Sequence, residues 1–324
     1  MEPGIYPTIK NIAVCICTYN RADMLQMVLK KLDSMIFPAG ISVAVLIIDN
    51  NSSDHTASVV HKFVTRRPDM FRYIFESRQG LSCARNRGLQ ETESDVIAFL
   101  DDDAVPRDGW LEALLEGYAE GADVGAVGGQ ALLAFQSPSL PRWFKKPLFP
   151  YFSEKEAAGT GLQTCSRPDE FPFGANISFL RCAAVAAGGF NPNLGRSGKK
   201  MLSGEEVELC MRLRNLGYRI LLHPKSIVDH YMPQERITLT NLMRQAWADG
   251  QCRQAWQVTG DASPNMIGAI KMLLISCGKL VGRIILKPKT SHDFILNIYA
   301  FISDMSSWYE KLKTKKSSND DGAL

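Results

Sequence analysis

The chain has 324 residues, enough to bury a sizeable core, and fits one large α/β domain with an appendage or two smaller domains. Its 37 Lys and Arg nearly balance 34 Asp and Glu, which argues against wholesale nucleic-acid binding. The eight cysteines are scattered without zinc-knuckle or redox spacing, and the chain does not open on a basic segment followed by an apolar core, so reduced thiols, no secretory signal and a cytoplasmic location are expected.

In chain order the first half alternates strand and helix patterns. Ile12 to Thr18 reads as a strand, Ala22 to Met35 as a helix, Val43 to Asp49 as a strand and Ser53 to Thr65 as a helix. Arg72 to Glu76 follows as a strand, Leu81 to Gln90 as a helix and Asp95 to Leu100 as a strand. This alternation predicts an α/β fold with a mixed, mostly parallel sheet and helices on its faces, where ligands bind outside the carboxyl ends of the strands. Polar clusters fall at those ends: Thr18-Tyr19-Asn20, Asp49-Asn50-Asn51 and Asp101-Asp102-Asp103. Adjacent carboxylates repel, so the aspartate run calls for a cation, with a metal carrying phosphates as one reading and a solvated acidic turn as the other.

Val124 to Leu133 reads as another strand. Pro138 to Phe152 is then rich in proline and aromatic side chains, among them Trp143, which is either a platform for an acceptor sugar or a wedge under a long connection. Gly204-Glu205-Glu206 opens a helix, where two acids also suit the macrodipole. His230 follows a strand and offers an imidazole to a metal, and the Arg236 guanidinium suits a diphosphate. Met266 to Ile285 carries apolar residues at helical spacing with basic residues on another face, and nine Lys or Arg lie between Lys271 and Lys316. Such a segment either packs on the rest of the protein or lies in a membrane interface, so residues 264–316 are a candidate for peripheral contact with the inner face of the cell membrane.

The segments VCICTYNR, IIDNNSSD, GLSCARNRGL, FLDDD and GEEVELCMRL occur in an order that resembles the family 2 glycosyltransferases with the GT-A fold. The resemblance covers roughly residues 10 to 255. It implies a catalytic domain over 1–260, with a nucleotide-sugar half at about 10–135 and an acceptor half at about 136–260, followed by a helical extension over 261–316. A disordered tail is expected over 317–324.

The function implied is metal-dependent, inverting transfer of a sugar from a nucleotide diphosphate sugar, with uridine diphosphate the expected carrier, to a glycan or lipid-linked acceptor. Thr18, Tyr19, Asn20, Arg21, Asp49, Asn51, Gly80, Arg85, Asp101 and Asp102 are then expected around the nucleotide. Gly174, Ala175, Asn176 and Trp143 are expected at the donor sugar or acceptor, and Arg236 at the diphosphate. Asp103 and Asp101, with His230, are the expected ligands of Mn²⁺ or Mg²⁺. Glu206 is the expected base, although family members commonly have Glu-Asp here, so the choice between Glu205 and Glu206 stays open. A non-catalytic sugar- or nucleotide-binding subunit on the same fold is the alternative. A nucleotidyltransferase would want a glycine-rich phosphate loop where this chain has Thr18-Tyr19-Asn20-Arg21.

Overall fold

A computed structural model of the chain describes residues 9–136, 140–198, 202–257 and 291–320. Its first half follows the expected alternation: β1 (Asn11–Thr18), α1 (Ala22–Ser34), β2 (Ser42–Asp49), α2 (Thr56–Arg66), β3 (Phe71–Phe75), α3 (Leu81–Gln90) and β4 (Val96–Asp101). α2 starts later than the expected Ser53 because Asp54 intervenes. Its carboxylate accepts from the Thr56 N–H at 3.0 Å and the Ala22 N–H at 3.1 Å, which caps α2 and ties it to the start of α1.

The remaining elements are β5 (Ala104–Pro106), α4 (Trp110–Tyr118), β6 (Val124–Ala134), a 3₁₀ turn (Lys146–Phe152), β7 (Gln163–Cys165), β8 (Asn176–Leu180), α5 (Arg181–Ala186), α6 (Glu205–Asn215) and β9 (Arg219–Tyr231). A short turn (Gln234–Arg236), α7 (Leu239–Gln257) and α8 (Ser291–Asp320) follow.

The strands form one sheet in the order β3-β2-β1-β4-β8-β6-β9-β5, with β7 on β9. Parallel pairing of β1, β2, β3 and β4 makes one wing, and β8 joins it antiparallel to β6. The sheet is mixed and mostly parallel, as the alternation predicts. β1 explains its own central place: Ile12 to Ile16 are all buried, a run that suits a strand covered on both faces.

The chain divides into two compact units. The first takes in residues 1–136, 153–198 and 205–232 and holds the sheet. Asn176 locks its second wing. The Asn176 amide donates to the backbone carbonyls of Gln130 at 2.9 Å and Ser226 at 3.1 Å, and its Oδ1 accepts from the Trp110 indole at 2.8 Å. One fully buried side chain thus joins β8 to β6, β9 and α4.

The second unit takes in 137–152, 199–204 and 233–324. It therefore begins before the boundary at 260 read from the sequence, because α7 packs on α8: Tyr299 donates to Asp249, and the Ser306 hydroxyl to the Trp247 carbonyl at 2.6 Å. α8 continues through 317–320, expected as disordered tail, since each residue added to an existing helix gains a hydrogen bond. Residues 321–324 and the basic amphipathic segment from Met266 to Ile285 lie outside the described residues.

Replacing Asn176 by leucine keeps the volume but leaves the Trp110 donor and two carbonyls without partners. Urea unfolding should show a loss of about 2–4 kcal/mol.

Candidate active site

Strand register builds the site. Thr18 lies opposite Asp49 and Cys17 opposite Asp101, so the polar ends of β1, β2 and β4 come out at one edge. Asp49 is buried there, accepting from the Tyr73 hydroxyl at 2.8 Å and the Ser52 N–H at 2.9 Å. Burial and the Asp49 carboxylate push the Tyr73 phenol up to about 12, so it remains a donor. Tyr19 is exposed, with 44% of its surface accessible.

Asn20 and Asn51 both take positive φ in the turns after these strands. The Asn20 side chain is turned into the loop, accepting from the N–H groups of Ser53 at 2.7 Å and Asp54 at 3.2 Å. It orders the rim instead of presenting itself to a ligand. Gly80 has φ +141, a conformation that L side chains rarely adopt, and its N–H donates to the Asn50 side chain at 2.8 Å.

The aspartate run ends β4 at Asp101 and continues as a turn. Asp102 is buried and accepts from the Thr18 hydroxyl at 2.8 Å and from Arg21 at 2.6 Å. Arg21 also lies 2.7 Å from Asp103. Burial pushes the Asp102 carboxyl up to about 6, with Arg21 pulling it back and Asp103 adding to the rise. Arg21 and Thr18 thus serve the acids themselves.

β5 brings in the imidazole. Ala104 pairs with His230, and the Tyr231 N–H donates to the Asp103 carbonyl at 2.8 Å, which sets His230 Nε2 3.2 Å from Asp103 Oδ1. Asp101, Asp103 and His230 offer ligand atoms within 4.8 Å of one another, with Asp103 and His230 buried and Asp101 on the open side. Two carboxylates and an imidazole fit a divalent cation such as Mn²⁺ or Mg²⁺, and they are the three residues the sequence singles out.

Arg85, expected around the nucleotide, is enclosed by acids. It is 2% exposed, and its guanidinium faces acids. Nη1 donates to Glu205 at 2.6 Å and lies 4.0 Å from Glu206, while Nη2 reaches Asp101 at 3.5 Å. A buried arginine so occupied has little left for a base or a diphosphate. Burial opposes its charge, but the three acids outweigh that and keep it protonated. Glu91, six residues along the chain, pairs instead with Arg72 and Arg87.

The two acids opening α6 differ. Glu205 is buried against Arg85, whereas the Glu206 side chain is 12% exposed and accepts from the Gly174 N–H at 3.3 Å. Burial, followed by the neighbouring Glu205 charge, raises the Glu206 carboxyl to about 7, with Arg85 pulling the other way.

The Gly174-Ala175-Asn176 segment, expected at the donor sugar, packs against the sheet and the acids. Ala175 is buried, and both amide donors and the oxygen of Asn176 are used within the sheet. Gly174 serves the acids: a Cβ there would fall 2.3 Å from Arg85 Nη2. Trp143 and Arg236 belong to the second unit, where Trp143 is half-buried beside Phe144 and Arg236 closes the short turn.

Residues 13–169 match the family model "Glycosyl transferase family 2". These residues form a glycosyltransferase family 2 domain. Over 250 residues it is 24% identical to the glucosyl-dolichyl phosphate glucuronosyltransferase of Haloferax volcanii, covering 75% of this chain and 76% of that protein. Over 265 residues it is 28% identical to the succinoglycan biosynthesis protein ExoM of Rhizobium meliloti, covering 76% and 79%. The mannosyltransferase PcManGT from Pyrobaculum calidifontis, solved in complex with GDP-Man and Mn²⁺, superposes with a TM-score of 0.64 at 18% identity over 94% of this chain and 89% of that one. The fold of this glycosyltransferase is accordingly GT-A.

Two residues without an expected site role order the rim. Asn50 bridges the second strand end to Gly80 and to the Arg78 carbonyl at 2.7 Å, and Asp54 joins the two helix starts. Asn50 sits beside the expected Asn51 and could have been found by its place on the buried side of the turn. Asp54 depends on a long-range partner, the Ala22 N–H.

Asp103→Ala and His230→Ala in this glycosyltransferase should each weaken Mn²⁺ binding at least about tenfold in titration calorimetry, with folding unchanged by circular dichroism.

Proposed function

We propose that this glycosyltransferase catalyses metal-dependent, inverting transfer from a nucleotide diphosphate sugar to a hydroxyl of a glycan or lipid-linked acceptor. What carries the reading is the contrast between the two sets of acids: one built around an imidazole, the other holding a carboxyl poised near neutrality. Asp101, Asp103 and His230 would hold Mn²⁺ or Mg²⁺, which when bound supplies Lewis acidity to the departing diphosphate.

Each remaining role belongs to a side chain of this chain. Tyr19, exposed beside the ends of β1 and β2, offers a face to the base. Asp49 can accept from the nucleoside by releasing one of its present donors, and Asn51 stands exposed at the same rim. Glu206 accepts the proton of the acceptor hydroxyl, which raises its nucleophilicity for in-line attack at the anomeric carbon and inverts the configuration there. The burial of Glu205 against Arg85 supports Glu206 over Glu205 for that step. Arg236 remains the proposed diphosphate clamp and Trp143 the proposed acceptor platform, each by side-chain chemistry.

Uridine diphosphate sugars are the first donors to test. Guanosine diphosphate mannose comes next, because the structural neighbour was solved with it. Two relatives are named for dolichyl phosphate and undecaprenol diphosphate substrates, which supports a lipid-linked acceptor and work at a membrane surface. No helix among the described residues is long and apolar enough to cross a membrane. The contact proposed is peripheral, on the cytoplasmic face, through 264–316, whose basic residues suit anionic headgroups. The intact acid set, Asp101, Asp103 and Glu206, argues for catalysis over a binding subunit.

Glu206→Gln should keep donor and Mn²⁺ binding while transfer, read as released diphosphate, falls about a hundred- to ten-thousand-fold. In the wild type kcat/KM should rise with pH through about 7, as the free enzyme's Glu206 loses its proton. Stability has the opposite sign. A carboxyl whose folded pKa lies above its unfolded value binds more protons in the folded state, so stability falls as pH rises toward 7, and Glu206→Gln removes that fall. Normal transfer by the variant would exclude Glu206 as the base.

A further inference from the structure

We infer that Arg85 is a positioning residue that joins the metal-ligating acids to the base, a role resting on the reading of Glu206 given above. Its two terminal nitrogens divide between the sets. Nη1 holds Glu205 at 2.6 Å with Glu206 at 4.0 Å, and Nη2 reaches Asp101 at 3.5 Å. A guanidinium can do this because it is a planar fork with a fixed span between its donors; an ammonium is a single point.

The surroundings fix the fork in place. Phe99 and Phe190 lie with their ring centroids 5.7 and 5.5 Å from the guanidinium carbon. On another side Gly174 leaves no Cβ, which would fall 2.3 Å from Nη2, and the same glycine donates its N–H to Glu206. Arg85 and Glu206 are thus gauged from one backbone position.

A merely structural ion pair accounts for less of this. Buried pairs are commonly replaced by apolar residues without loss of stability, so stability alone gives no reason for the charge. The pair is also not optimised for it: Glu205 Oε2 is buried with no hydrogen bond, and the single guanidinium faces three carboxylates. What the arrangement does supply is geometry. Asp101 is held toward Asp103 and His230, and Glu205 is held beside Glu206, by the same rigid group.

The test replaces Arg85 and Glu205 together by methionine, which removes the buried charge pair and keeps apolar volume. Thermal unfolding, Mn²⁺ titration without donor, and kcat and KM are then measured. The double variant should unfold near the wild-type temperature, bind Mn²⁺ about ten- to a hundredfold more weakly, and lose kcat by a similar factor with KM for the donor changed less. Arg85→Lys, which retains the charge without the fork, serves as the second variant. It should show the same losses of Mn²⁺ affinity and kcat, and it decides the matter if the double variant does not fold.

Wild-type Mn²⁺ affinity and kcat in a folded double variant, or in Arg85→Lys, would overturn the assignment. Mn²⁺ affinity does not depend on which residue is the base. If Glu206→Gln still transfers sugar while the Arg85 variants bind Mn²⁺ weakly, the base reading fails and the link to Asp101 stands.

Discussion

Carboxylates crowded at the ends of buried strands must be matched by positive charge, and the rest of the site follows from how this chain does so. Arg21 takes Asp102 and Asp103, and Arg85 takes Glu205 with Asp101 and Glu206 near it. Each arginine faces more acid than it neutralises. The surplus on the Asp101, Asp103 and His230 side suits a divalent cation, and on the other side burial, followed by the Glu205 charge, raises the Glu206 carboxyl to about 7.

The sheet creates the imbalance. Parallel register carries Thr18, Asp49 and Asp101 to the same edge, while the short antiparallel pairing of β5 with β9 clamps the acidic turn and delivers His230 beside Asp103. Asn176 holds the second wing by bonds to three elements. Buried amides with every group satisfied tend to specify one arrangement, and this one sets where Gly174 passes Arg85 and Glu206.

Most of the fold was legible because β1 and β4 are unbroken apolar runs and α3 is bracketed by Gly80 at its start. The acidic run and His230 were legible for a similar reason: they sit just beyond or at the ends of recognisable strands. Arg85 was not, because its partner Glu205 lies 120 residues away and nothing local distinguishes a surface arginine on α3 from a buried one. The bonds of Asn176 were hidden in the same way, because its partners, Trp110, Gln130 and Ser226, come from elsewhere in the chain. The pattern of α7 alone likewise does not show that α8 is what it packs against.

The division of labour is tested most directly by a crystal structure with Mn²⁺ and a uridine or guanosine nucleoside diphosphate, with the metal located by anomalous scattering. The account predicts one manganese peak ligated by Asp103 with Asp101 or His230 and by the diphosphate, and Arg85 still bonded to Glu205. A manganese peak away from these residues, or Arg85 turned to the nucleotide with Glu205 released, would contradict it.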